Sequence, residues 1–343
     1  MDKTPLISVI IPVHNTAAYL QECVASMLGQ SHRTVEVIAV DDASTDSSAA
    51  LLRQMASEDG RIRVLSTGNT AQGPSVARNM GIQAAQGDFF CCLDSDDIYL
   101  PDALTELLQA LERHPQAGFA TAPLATFATD EQKAEALQKE YPEKEEEVVE
   151  SRAASVAMLC QTGGEKGLTV SPCCKLFRSR MKGAVCFDKG RIYEDLDLLP
   201  RLCAEASSVV CLRRPLYLYR LHGDSILGRF CERRLDVLSS AFRLRRAFAA
   251  DAELRLAADT RLFAAAFNML LNLLQPSEKD LAKRYRRRLG IILRALKGLV
   301  AANPQARRRD RAGALLLLFP GLKLTTLLLR VWPGALNRLL RRR

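Results

Sequence analysis

The feature that most limits what this chain can fold into is a series of short apolar runs separated by helical patterns. "LISVIIPV" (6–13), "VEVIAV" (35–40), "RIRVLS" (61–66) and "DFFCCL" (88–93) each read as a strand. Between them, "AAYLQECVASML" (17–28), a segment opened by the cap signals Asp46 and Ser47, and "SVARNMGIQAAQ" (75–86) read as helices. Strand–helix alternation at this spacing predicts an α/β fold with a largely parallel sheet and helices on both faces. In such sheets ligands bind at the carboxyl ends of the strands. Asp41 and Asp42 end the second strand, and Asp94 and Asp96 end the fourth, so both acidic clusters fall on the ligand-binding rim.

The second cluster packs Asp94, Asp96 and Asp97 into four positions, where like charges repel unless a cation or donors offset them. In an extended segment alternate side chains share a face, so Asp94 and Asp96 converge while Asp97 diverges. Hard carboxylate oxygens select Mg²⁺ or Mn²⁺, and one or two carboxylates suffice when substrate phosphates supply further ligands. An isolated Asp-x-Asp is weak evidence, because "DDIYLPDAL" also reads as the cap of a helix starting near Pro101.

Three segments in order sharpen the reading: "SVIIPVHN", "VEVIAVDDASTDSS" and "GPSVARNMGIQAAQGDFFCCLDSDD". Together they closely resemble the inverting, GT-A-fold glycosyltransferases, the family that includes cellulose, chitin and hyaluronan synthases and many bacterial polysaccharide enzymes. The resemblance spans residues 6–125 and, with less specific motifs, 168–226. It implies a Rossmann-like GT-A domain and a nucleotide-diphosphate-sugar donor, a UDP-sugar by preference. By that resemblance Pro12 touches the nucleotide, Asp42 accepts a hydrogen bond from the nucleobase, and Arg78 donates near the base carbonyl. Asp94 lies near ribose and metal, Asp96 ligates Mg²⁺ or Mn²⁺, and "IYEDLDLLPRL" supplies the general base Asp195 with Glu194 as a supporting acid. Arg220 and His222 in "YRLHGDSI" match a basic segment facing the diphosphate, and Lys175 and Arg178 in "CCKLFRS" match one near the acceptor. Without the upstream match, Glu194 and Asp195 would read as acids favouring the positive end of a helix.

The rest of the chain sets the organisation. Residues 1–228 are expected to form the catalytic domain, with 130–166 an exposed charged insertion that includes "DEQKAEALQKEYPEKEEEVVE" (130–150). A helical region over 229–305 follows, from helical patterns at 231–250, 251–274 and 277–302, and then a basic amphipathic tail over 306–343. The net charge of +9 is lopsided: residues 280–343 carry seventeen Lys or Arg against Asp280 and Asp310, leaving the body mildly acidic. Ala312–Leu329 is slightly short for a span and contains Pro320, Gly321 and Lys323. Its leucines, Trp332 and flanking arginines suit a segment lying on an anionic membrane surface, and packing on protein is the alternative. The acidic rim argues against nucleic acid as a partner.

The ten cysteines show no zinc-type spacing, and the first apolar run lacks the flanks of a signal peptide. Reduced thiols and a cytoplasmic location, peripheral at the inner face of the cell membrane, are therefore expected. The acceptor would be a glycan or a lipid-linked molecule. Two other functions stay open: a nucleotidyltransferase, although "PVHNTAAYL" lacks the glycine-rich basic loop expected there, and a non-catalytic nucleotide-sugar binder.

Overall fold

A computed structural model describes residues 4–139, 145–222, 231–274 and 279–318. The chain divides into two compact units, Met1–Ala154 with Gly164–Gly228, and Ser155–Gly163 with Arg229–Arg343. In the first unit the alternation read from the sequence appears in order: β1 (Ile7–Val13), α1 (Ala17–Leu28), β2 (Val35–Asp41), α2 (Ser48–Glu58), β3 (Ile62–Ser66), α3 (Pro74–Ala84) and β4 (Phe89–Cys92). Next come β5 (Ile98–Tyr99), α4 (Ala103–Arg113), β6 (Phe119–Thr121), β7 (Leu124–Phe127), α5 (Asp130–Gln138), β8 (Glu146–Glu150) and α6 (Ser151–Cys160), whose residues from Ser155 onward belong to the second unit. The unit closes with β9 (Lys175–Arg178), α7 (Glu194–Glu205), β10 (Ser208–Leu212) and β11 (Tyr217–Arg220).

Eight strands form one sheet in the order β3-β2-β1-β4-β9-β6-β10-β8, with β9 and β8 antiparallel to their neighbours and the other pairs parallel. The sheet is flanked by helices, so β1 and β2 are buried along their whole length, as their unbroken apolar runs demand. Gly81 of α3 lies so close to β1 that a Cβ there would sit 2.5 Å from the Ile10 side chain. This lets α3 settle directly on the sheet and sets the height of Arg78, one turn earlier. A second, three-stranded sheet, β5-β11-β7, gathers Ile98, Leu100, Phe127 and Leu218 into a small core beside the acidic turn.

One expectation needs correcting. Within the stretch expected to be an exposed insertion (130–166), α5 does expose its side chains, but Glu146–Glu150 is the edge strand of the main sheet. The acids tolerate this place because they are neutralised. Glu146 pairs with Arg113 and His114, and Glu147 with Lys166 and Arg213. Charged edge strands also resist pairing with other chains.

In the second unit α8 (Asp236–Ala247), α9 (Ala252–Asn272) and α10 (Lys279–Ala302) follow the helical patterns of the sequence, while α11 (Arg308–Leu318) is a partly buried helix within the stretch expected to be a basic tail. Asp251 caps α9 by accepting from the Glu253 and Leu254 amides at 3.1 and 3.0 Å. Gly313 admits close packing of α11, since a Cβ there would meet the Phe267 ring at 2.7 Å. Among the described residues no helix is long and apolar enough to cross a membrane. Most of the expected tail, residues 319–343, lies outside the described residues.

Candidate active site

The site lies where the carboxyl ends of β1, β2 and β4 meet, and it begins with backbone geometry. Asn15 and Ala43 leave β1 and β2 with φ of 52° and 54°, and Tyr193 precedes α7 with φ of 65°. Left-handed backbone at non-glycine residues persists where the surroundings hold it. At Asn15 the hold is visible: its Oδ1 accepts from the Thr45 amide at 2.7 Å and the Asp46 amide at 3.3 Å. Asn15 thus ties the end of β1 to the loop after β2.

Asp42 is buried, and its carboxylate accepts from Thr67 Oγ1, the Gln72 amide at 2.8 Å and the Gly73 amide at 2.7 Å. It therefore shapes the loop that opens α3, while its backbone oxygen meets His14 Nδ1 at 2.7 Å. Pro12 sits one residue before the end of β1, opposite Val40.

The acidic turn after β4 departs from the extended geometry that the spacing suggests. The Asp97 amide donates to the Asp94 oxygen at 3.0 Å, so residues 94–97 form a turn. The predicted divergence of Asp97 occurs all the same. Its side chain is buried and accepts from Tyr217 OH and the Arg220 amide, each at 2.7 Å. Burial, followed by the charges of Asp94 and Asp96, pushes its pKa up to about 8. Asp94 and Asp96 instead keep side chains 32% and 26% exposed.

Two side chains knit the turn to other elements. Arg78, buried on α3, donates from Nη2 to Asp94 Oδ1 and from Nη1 to Glu194 Oε1, both at 2.8 Å. One guanidinium thus joins the acidic turn to the first residue of α7, and the two carboxylates drive its pKa upward against burial. Asp195 follows directly, its Oδ1 accepting from the Leu196 amide at 2.7 Å. On the other side His222 Nε2 lies 2.8 Å from Asp96 Oδ2.

Arg220, expected beside the diphosphate, makes contacts of a different kind. Its Nε donates to the Asp96 backbone oxygen at 2.8 Å and its Nη2 to Glu22 Oε2. Its guanidinium is also flanked by the Tyr19 and Phe127 rings, 4.9 and 4.5 Å from their centroids. Lys133 joins the same Glu22 at 2.7 Å.

Two further expectations are overturned. Lys175 is wholly buried, with desolvation lowering its pKa, and therefore cannot meet an acceptor. Arg178 pairs in register with Phe89, at the end of β4 opposite Asp94, because β9 runs antiparallel. There it donates to the carbonyl oxygens of Leu111 and Ala117 at 2.6 and 3.0 Å, fastening the end of α4. Conversely, Glu22, Tyr217 and Thr67 carry site geometry that no motif announced, and Asn15, which closes the motif "SVIIPVHN", had no role attached to it. Only Tyr217, in the apolar run "YLY", had a hint, as a buried hydroxyl needs a partner.

The donor set fits a hard divalent cation. Two partly exposed carboxylates offer oxygen ligands, and no group of three or more His, Cys, Asp or Glu makes a closed cage among the described residues. A hard ion held by one or two carboxylates takes its other ligands from phosphate and water. The ten cysteines are free thiols and eight are buried, which leaves them outside this chemistry.

Comparison with known proteins bears on family and fold. The glycosyl transferase family 2 model matches residues 8–180. Glycosyltransferase GlyG of Streptococcus pneumoniae serotype 4 is 32% identical over 225 residues, 65% of this chain and 73% of GlyG. An uncharacterized glycosyltransferase of Haemophilus influenzae is 42% identical over 111 residues, 32% of this chain and 44% of that relative. The match to a third, glycosyltransferase GlyA of S. pneumoniae, covers only 33% of its length. The crystal structure of Staphylococcus aureus TarS 1–349 in complex with UDP-GlcNAc superposes with a TM-score of 0.63 at 18% identity, covering 90% of this chain and 88% of that one. With this fold and the family match over half its length, the chain belongs to glycosyl transferase family 2: it is a glycosyltransferase with a GT-A fold.

Proposed function

We propose that this enzyme transfers a sugar, with inversion, from a UDP-sugar to a hydroxyl of a glycan or lipid-linked acceptor in surface polysaccharide synthesis. One observation carries the reading: Arg78 links the partly exposed Asp94 of the strand-end rim to Glu194 at the start of α7. Donor-side and acceptor-side acids are thereby held by one buried cation. Asp42 and Pro12 border the nucleotide end of the rim, where the one lone pair that the Asp42 carboxylate keeps on Oδ2 suits an imide N–H. TarS supports UDP as the nucleotide, having been solved with UDP-GlcNAc.

Inversion needs a single displacement. The acceptor oxygen bonds to the anomeric carbon, the bond from that carbon to the diphosphate breaks, and Asp195 takes the hydroxyl proton. General-base help of this kind contributes roughly 10²–10⁴ in rate. Asp94 and Asp96 would hold Mg²⁺ or Mn²⁺, and such a cation neutralises charge growing on the leaving diphosphate. His222 orients Asp96 from the opposite side, and Arg220 holds its backbone.

We also propose peripheral association with the inner face of the cell membrane, from the basic, leucine-rich sequence after residue 311. A panel of nucleotide-sugars with Mn²⁺ tests the enzymatic reading. UDP release that rises with a glycan or lipid-linked acceptor, and a product of inverted anomeric configuration by NMR, are expected. Release of pyrophosphate from a nucleoside triphosphate and a sugar phosphate would instead favour nucleotidyl transfer.

A further inference from the structure

Helix α10 presents a face that its packing does not use. Leu289, Leu293, Leu296 and Val300 are buried, which leaves the opposite side to solvent. That outer side carries Arg284, Arg287, Arg288, Ile291 and Arg294, all exposed and recurring at three-, four- and seven-residue intervals, with the exposed Leu299 five residues further along. The stripe runs about 22 Å along the helix at 1.5 Å per residue. Asp280 is the one acid in the helix. Arg284 has a partner in Glu232. Among the described residues Arg287, Arg288 and Arg294 stand in no ion pair.

The apolar members decide what this charge is for. Ile291 is 54% exposed and Leu299 49%, and Leu315 on the packed neighbour α11 is 52% exposed. A soluble polyanion would bind the arginines and leave these side chains in water. A lipid surface takes both, since arginines meet anionic headgroups while isoleucine and leucine enter the acyl boundary.

We infer that the outer face of α10 docks on an anionic membrane surface, as a contact separate from the sequence after residue 318. The inference rests on the peripheral-membrane reading above and adds to it a surface built from folded residues.

Flotation of the full-length protein with phosphatidylcholine vesicles, with and without phosphatidylglycerol, tests it. The variants are Arg287→Gln/Arg288→Gln/Arg294→Gln, Ile291→Gln/Leu299→Gln and, as comparator, Arg341→Gln/Arg342→Gln/Arg343→Gln. All the α10 positions are exposed, so unchanged melting is expected and is checked first. The α10 charge variant should bind anionic vesicles about a hundred-fold more weakly, and the apolar variant roughly ten-fold more weakly. Wild-type protein that floats, together with an α10 charge variant that floats equally well, would overturn this inference and leave the membrane reading standing. Wild-type protein that never floats with anionic vesicles overturns both. If only the charge variant fails, and wild type and the apolar variant bind vesicles and soluble polyphosphate alike, the face is a polyanion surface and the inference is wrong.

Discussion

Three acids within four positions show how neighbours acquire different work from their surroundings. Asp94 is spent partly on Arg78, Asp96 faces His222, and Asp97 turns inward to hold Tyr217 and the backbone of Arg220. Asp96→Ala should abolish divalent-metal-dependent binding of UDP, measured by calorimetry with and without Mn²⁺. Unchanged affinity would remove Asp96 from the metal site. Asp97→Ala should act on stability instead, because it strands two buried donors at about 1–3 kcal/mol each. Denaturant unfolding reads that loss. At Asp195 binding and chemistry should separate: Asp195→Asn keeps donor affinity and lowers turnover by about 10² or more. Near-normal turnover on a true acceptor would move the base elsewhere, to Glu194 first. Glu194 itself has a structural share, since its removal leaves Arg78 buried with one partner. Glu194→Ala is expected to cost about 3–5 kcal/mol and Glu194→Gln clearly less, because the amide oxygen still accepts. Equal losses for the two variants would show that the ion pair is not what holds α7.

At the scale of elements, the site depends on how closely α3 lies on β1 and on what the three-stranded sheet presents. A methyl at Gly81 would stand 2.5 Å from Ile10, which is fully buried and has little room to yield. Gly81→Ala should therefore destabilise by about 1–3 kcal/mol, the usual cost of overpacking. It should also weaken donor binding, as α3 is lifted and Arg78 with it. Gly60→Ala, whose Cβ would meet nothing within 4 Å, is the control expected to be near neutral. A normal melting temperature for Gly81→Ala would mean that α3 can shift without strain. β11 brings Arg220 and Tyr217 to the acidic turn although 120 or more residues separate them in sequence. The helical pattern of the second unit was read directly from residues 231–302, because its helices follow the ordinary 3.6-residue periodicity.

For the whole molecule, charge and catalysis occupy different stretches of chain. Every proposed site residue lies at or before His222, whereas seventeen Lys or Arg fall after residue 279. A chain truncated after Leu318 should keep donor hydrolysis and lose part of its affinity for anionic vesicles, with α10 retaining the rest. High salt should weaken that residual binding without abolishing it, since exposed charges are screened and buried leucine is not. Flotation at low and high salt measures both effects. Loss of hydrolysis on truncation would show that the tail supports the catalytic unit.

The strand–helix frame, the rim on which Asp42, Asp94 and Asp96 stand, and the Glu194–Asp195 pair opening α7 are legible in the order of residues. These are local matters, set by hydrophobic periodicity, by strand ends and by motif spacing. Tertiary structure alone decided the partners: Arg78 between Asp94 and Glu194, Arg220 between Tyr19 and Phe127, Asp42 gripping the loop before α3. It also decided that Glu146–Glu150 is an edge strand, that Lys175 is buried, and that Arg178 points away from the chemistry. The reason is physical. A residue's character and its place along a strand or helix are carried by its neighbours in sequence. Which buried charge meets which carboxylate depends on sheet order and strand direction, and β9 running against its neighbours is written in no local pattern.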